Sequence, residues 1–269
     1  MTKDFYYVTA ASGDGFIRRF AQFALRSLLK AGVDENLISI GVNTVSDKKL
    51  IKSLVPSIKN IYVVDQDLSM VKWKKWGNTR KYSLFKAASL YKMFPEPISG
   101  KAMVYFDGDV LWYKNPNDFF ATKSEKTWFH HGKSLEKTAS IKKEDIDITD
   151  ENSLGKWCSL PQAHLMVKYG AKVIPDREVV AGLYMLHPKD HAKVLEFTYN
   201  GCLENSDKFV NHEGVGDQKP MNAALAVLNI DWHGGSRFFC PEHTQYFDHF
   251  FGKQEQKSIF DKKVKELKL

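Results

Sequence analysis

The sequence predicts an α/β fold with a mostly parallel central sheet flanked by helices. Short β-rich apolar runs alternate with stretches of helical spacing through the first half, the order of repeated strand–helix–strand units. Glycines and prolines stand at the ends of those runs. No Pro/Gly/Ser-rich linker, repeat or low-complexity stretch divides the 269 residues.

Residues 5–9 read as the first strand and 12–15 as a turn. Residues 16–31 bring Phe16, Phe20, Phe23, Ala24, Ser27 and Leu28 to one helix face and stop at Gly32. Strands follow over 37–42 and 61–64, with a short helix over 49–54 stopped by Pro56 between them. Residues 80–94 form a helix with Leu84, Ala87, Ala88 and Tyr91 on one face, ended by Pro95, and 102–106 form the fourth strand. The second half is less regular. Residues 123–160 are polar and read as loop with short helices. A strand over 179–186, helices over 188–199 and 217–228, and a Gly234-Gly235 turn into 237–240 complete it. Residues 253–269 carry six lysines and read as a basic, amphipathic tail.

Several function classes drop out. No run approaches the roughly 18–20 apolar residues that span a bilayer, and the N-terminus lacks the pattern of a secretory signal. Cys158, Cys202 and Cys240 are scattered, which excludes a disulfide framework or a Cys-rich zinc module and suits a cytoplasmic location. Lys and Arg number 39 against 32 Asp and Glu, a net charge of +7. That surplus attracts polyanions, whether nucleotides, nucleic acid or an anionic membrane face, without choosing among them.

The chemistry concentrates in Met103-Val-Tyr-Phe-Asp-Gly-Asp-Val-Leu-Trp112. Asp107 and Asp109 stand at i and i+2 directly after an apolar strand, and in sheets of this type that end opens onto the ligand crevice. Gly108 between them permits close backbone approach. Two carboxylates beside a crevice suit Mg²⁺ or Mn²⁺, which complete their shells with water and phosphate oxygens. The plain alternative is a turn in which both aspartates only cap the next segment. One enzyme class with Asp-x-Asp after a strand, the phosphatases with an aspartyl nucleophile, normally opens its chain with the motif. Here it follows three α/β units and continues Val110-Leu111. The other class transfers sugars from nucleotides.

In the order of its motifs the chain resembles the retaining GT-A glycosyltransferases of the glycogenin and bacterial galactosyltransferase type. Val8-Thr-Ala-Ala11 with the following helix looks like the family's nucleotide-binding first strand. Val104-Tyr-Phe-Asp-Gly-Asp-Val110 followed by Asn115-Pro116 looks like its metal-binding strand. Val180-Ala-Gly-Leu-Tyr-Met-Leu186 resembles a later strand that usually reads Asn-Ser-Gly-Val, with Ala181 in place of the hydroxyl residue. Gly216-Asp-Gln218 with Asn222 resembles an Asp-Gln helix start placed under the sugar. His249-Phe-Phe-Gly252-Lys253 resembles His-x-x-Gly-x-x-Lys, although Lys253 departs from the spacing and position 255 is Glu.

The resemblance implies a single catalytic domain over 1–252, its nucleotide-binding half 1–122 and its acceptor-side half 123–252. It implies a donor site at Thr9, Ala10, Ala11, Lys81, Lys86, Asp107, Gly108, Gly182, Gly252 and Lys253. Asp107, Asp109 and His249 would hold Mn²⁺ or Mg²⁺, and Asp217 and Gln218 would be catalytic. The expected reaction moves a sugar from a nucleoside diphosphate, UDP favoured, to a hydroxyl of a glycan or lipid-linked glycan, with retention. The basic tail would allow peripheral contact with an anionic membrane. Two alternatives stay open: a phage-type glycosyltransferase acting on hydroxymethylated pyrimidines in DNA, which the Trp73-Lys-Lys-Trp76 cluster suits equally, and a D-x-D phosphatase. Asp217 and Gln218 are also what an ordinary helix start looks like. Among the other histidines, His130, His131 and His233 are minor candidates for ligation or for lining the site.

Overall fold

A computed structural model describes residues 5–68, 77–98, 100–130, 132–137, 139–209, 216–234, 245–250 and 254–269, with backbone alone at 77–80, 133 and 254–258. Strand β1 (Phe5–Ala11) is buried along its whole length, as a central strand covered on both faces must be. Helix α1 (Asp14–Phe20), a π-helical turn over 21–25 and α2 (Arg26–Lys30) follow as one rod, and Gly32 with φ 91° turns the chain out of it. The buried face of this rod is Ile17, Phe20, Ala21, Ala24, Leu25 and Leu28. Phe16 of the expected face is therefore exposed instead of packed inside.

Strand β2 (Ile38–Val42) pairs with β1. Helix α3 (Val45–Leu54) starts earlier than its apolar spacing predicts, because Thr44 caps it by accepting the Asp47 N–H at 3.0 Å. Strand β3 (Asn60–Val63), helix α4 (Gly77–Met93) and strand β4 (Ala102–Phe106) match the expected order. Strand β5 (Val110–Trp112) and helix α5 (Asn117–Ala121) leave the Asp-Gly-Asp turn.

The polar stretch 123–160 holds more order than expected: strands β6 (Thr127–Phe129) and β7 (Gly132–Ser134) and helix α6 (Glu151–Trp157). β6 lies inside the main sheet, where the Thr127 hydroxyl donates to the buried Asp190 carboxylate at 2.8 Å. Helix α7 (Leu160–Lys168) follows. The strand expected over 179–186 divides into β8 (Arg177–Val179) and β9 (Leu183–Leu186), broken at 180–182. Helix α8 (Pro188–Lys208) runs nine residues beyond the expected end. Helix α9 (Gln218–Val227), strands β10 (Trp232–Gly234) and β11 (Phe247–His249) and helix α10 (Gln254–Glu266) complete the chain. The turn expected into 237–240, the Trp73–Trp76 cluster, His131, Gly252 and Lys253 lie outside the described residues.

The main sheet has the order β10-β6-β9-β4-β1-β2-β3. Only its β9 pairings, with β4 and β6, are antiparallel, so the sheet is mostly parallel as predicted. One face packs α1 to α3 through Phe5, Tyr7 and Phe106. The other packs α4, α8 and α9 through Tyr6, Val8 and Tyr105. The order reverses between β1 and β4, so the crevice of an open α/β sheet falls at their C-terminal ends.

Candidate active site

Three segments meet at that crevice. Asp107 follows β4, Asp109 precedes β5, and His249 ends β11, which pairs antiparallel with β5 so that His249 lies opposite Val110. Ligand atoms of Asp107, Asp109 and His249 all lie within 4.8 Å of one another, and His249 Nε2 is 3.2 Å from Asp109 Oδ1. His249 is buried and both carboxylates are half-buried. Hard oxygen donors with one imidazole suit Mn²⁺ or Mg²⁺. Gly182 makes the cluster possible. A methyl group there would stand 2.7 Å from His249 Nε2 and 2.9 Å from Asp107 Oδ2. The Gly182 carbonyl also accepts the Asp107 N–H at 2.8 Å.

Behind the carboxylates lies Lys86, 4% exposed. Its ammonium pairs with Asp217 Oδ2 at 2.9 Å and Asp107 Oδ1 at 3.4 Å, donates to the Ala181 carbonyl, and sits 4.3 Å from the centroid of the Tyr105 ring. Those three acceptors match the three N–H donors of an ammonium. Burial alone would lower the Lys86 pKa, but the two carboxylates outweigh it and the net shift is upward. Asp107 moves the other way from a usual ion-paired carboxylate. Burial raises its pKa, Asp109 adds to the rise, and Lys86 and His249 offset only part of it. The Tyr105 hydroxyl donates to Asp107 Oδ1. Tyr105 in turn stacks on Tyr184 of β9, centroids 5.0 Å apart.

A cavity of about 190 Å³ opens beside the carboxylates, lined by Phe16, Arg19, Phe20, Tyr82, Asp107, Gly108 and Asp109. The Phe16 and Tyr82 rings meet at 5.1 Å. Gly108 fits beneath them because a Cβ there would come within 2.9 Å of Phe16.

The remaining expected residues take these places. Thr9, Ala10 and Ala11 are buried at the end of β1; the Thr9 hydroxyl donates to the Phe106 carbonyl at 2.8 Å, and the Ala10 carbonyl accepts from Tyr82 at 2.6 Å. Of the two lysines considered on α4, Lys86 reaches the carboxylates, while Lys81 is half-buried earlier in the helix. Asp217 occupies the N-cap position of α9, yet its side chain makes no capping hydrogen bond and turns to Lys86 instead. Gln218 is the first residue of α9, half-buried beside it. His130 is buried with its ring 5.6 Å from that of His249, behind the cluster. His233 pairs with the Lys123 carbonyl at 3.1 Å, at the β10 end of the sheet.

Sequence reasoning did not select Tyr105, Tyr82 or Arg19 as site residues. Tyr105 had a readable signal, since residues two apart on a strand share a face and Tyr105 precedes Asp107 by two. Arg19 had none, since it lines the cavity from α1 with its guanidinium over Phe260 of the distant α10.

No protein-family model matches the sequence, and no curated protein matches it. Solved structures do match. An active-site glutamine-to-glutamate mutant of LgtC aligns with a TM-score of 0.54 at 15% identity, covering 97% of this chain and 94% of that one. The galactosyltransferase LgtC in complex with donor and acceptor sugar analogues aligns with a TM-score of 0.52 at 14% identity over the same shares. The chain therefore has the GT-A fold, as the order of its motifs predicted.

Proposed function

We propose that the chain is a cation-dependent glycosyltransferase that moves a sugar from a nucleoside diphosphate to a hydroxyl of a glycan. The observation that carries this reading is the Asp107–Asp109–His249 cluster, set at the reversal of strand order and beside an aromatic cavity. A divalent cation held there would neutralise charge on the leaving diphosphate. The flanking cavity, lined by Phe16 and Tyr82, would take a nucleobase or ribose, and the motif resemblance favours UDP as the donor nucleotide. The complex of LgtC with donor and acceptor sugar analogues supports a sugar acceptor by analogy of fold.

The protein groups divide the work. Asp107 and Asp109 would hold the cation, which would supply the charge that orients the phosphates. His249, buried against Gly182, would offer the third ligand. Asp217 and Gln218 stand at the start of α9, where the sugar would lie over them. Charge develops at the anomeric carbon as its bond to phosphate stretches, and carboxylates fixed nearby stabilise it. Asp217 is ion-paired with Lys86 and the Gln218 amide is a poor nucleophile. Attack from the face the phosphate leaves, with that phosphate as base, accounts for retention without a covalent enzyme intermediate. Loose association of the lysine-rich α10 with an anionic membrane belongs to the same reading. Among the described residues no helix is long and apolar enough to cross a membrane.

The test is Asp109→Asn. Calorimetry of UDP-hexose binding with Mn²⁺ should show cation-dependent affinity in the native chain, and the variant should lose it together with sugar transfer. Unchanged transfer in the variant would remove the cation from the reading.

A further inference from the structure

We infer that Lys219, Glu178 and Asn222 are positioning residues for transfer: they staple strand β8 to helix α9 and so set where Asp217 stands against Lys86. The inference rests on the function proposed above. Glu178 of β8 is 6% exposed, and both its carboxylate oxygens accept from Lys219 Nζ, at 2.7 and 2.8 Å. Asn222, 3% exposed, treats Val179 as a neighbouring strand would. Its Oδ1 accepts the Val179 N–H at 2.7 Å, and its Nδ2 donates to the Val179 carbonyl at 3.0 Å and to the Gln218 carbonyl at 2.8 Å.

The staple lies two residues from the site on both sides. Two residues beyond Val179 the Ala181 carbonyl takes the Lys86 ammonium, and next to it the Gly182 carbonyl takes the Asp107 N–H. Two residues before Lys219 comes Asp217, 2.9 Å from the same ammonium. Lys86 thus grips two segments that meet again through Glu178–Lys219 and Asn222–Val179, and Val179 and Ala181 share an apolar cluster with Met221 and Leu225 of α9. The Asp217 side chain makes no capping bond and its carbonyl accepts the Met221 N–H at 3.1 Å, so the residue moves with the start of α9. A displacement of about 1 Å at a group facing the reacting centre costs up to roughly 10²-fold in rate.

Neither Lys219 nor Glu178 belongs to the cation cluster, which gives the test its separation. Hydrolysis of UDP-glucose and UDP-galactose with Mn²⁺ is compared in the native chain, Lys219→Met and Lys219→Arg, with Mn²⁺ affinity and melting temperature followed alongside. Lys219→Met should lower kcat by roughly 10- to 100-fold. KM and Mn²⁺ affinity should hold, and Lys219→Arg should restore most of the rate. An unchanged kcat, or a fall in Mn²⁺ affinity and melting temperature that parallels the rate, overturns the inference. Crystal structures of the native chain and Lys219→Met judge it without turnover: Asp217 should leave Lys86 in the variant, and an unmoved Asp217 overturns the inference. Absence of any cation-dependent binding of either nucleotide sugar by the native chain sinks the proposed function instead.

Discussion

Gly182 limits the site more tightly than any ligand does. The His249 ring and the Asp107 carboxylate both fill the space a side chain would take. His249 is a buried imidazole and cannot move aside as a flexible chain end would. Gly182→Ala should push His249 away from Asp109 and lower Mn²⁺ affinity by roughly 10- to 100-fold, read by calorimetry, as disturbed support of a metal ligand does. Native affinity in this variant would mean that His249 takes no part. The residues differ in how far the sequence exposes them. Asp107 and Asp109 are legible because both ligands lie within three residues of one strand end. His249 sits 140 residues later and enters only through the order of motifs, and here the β5–β11 pairing brings it to the carboxylates. Lys86 was expected to reach the donor phosphates; in the structure its ammonium faces two carboxylates and a carbonyl. Spacing along a helix identifies which face a lysine is on, but not which acceptors three other segments bring to it.

At the scale of elements, the strands of the first half were readable because parallel strands buried on both faces are continuous apolar runs. β6 was not, since Thr127-Trp-Phe129 is three residues long and its burial comes from neighbours β9 and β10. The expected strand over 179–186 is broken at 180–182, where the Ala181 carbonyl turns to Lys86 and the Gly182 carbonyl makes the last bond to the β4 side, at Asp107. The lysine-rich end is a docked helix. Phe260 of α10 is buried, 5.2 Å from the Phe23 ring, 5.1 Å from Phe250 and 5.2 Å from the Arg19 guanidinium. Phe250 follows His249, and its N–H donates to the Asp109 carbonyl at 2.9 Å. The anchor of α10 is therefore one contact from the cation cluster. Phe260→Ala should cost about 3 kcal/mol in urea unfolding. It should also weaken Mn²⁺ binding, because the segment that carries His249 loses its backing. A loss of stability with undiminished Mn²⁺ affinity would show that α10 does not support the cluster.

On the scale of the molecule, the site is a crossing of distant parts of the chain. Lys86 comes from α4, Asp107 and Asp109 from the β4–β5 turn, Gly182 from the β8–β9 break, Asp217 from the start of α9 and His249 from β11. An unfolded chain holds Asp107 and Asp109 near each other but not His249, so a cation using all three binds the folded state selectively. Selective binding stabilises by about 2.7 kcal/mol at a hundred times the dissociation constant. For a chain of this size that corresponds to a rise of roughly 5–10 °C in melting temperature. The raised pKa of Asp107 adds a sign with pH. Its burial beside Asp109 makes the proton compete with the cation from above the usual carboxylate range, so the rise should shrink as pH falls and be largest near neutrality. Differential scanning calorimetry with and without Mn²⁺ across pH measures both effects. His249→Ala should reduce the neutral-pH rise and Asp109→Asn should abolish it. An equal rise in Asp109→Asn would place the cation elsewhere on the molecule.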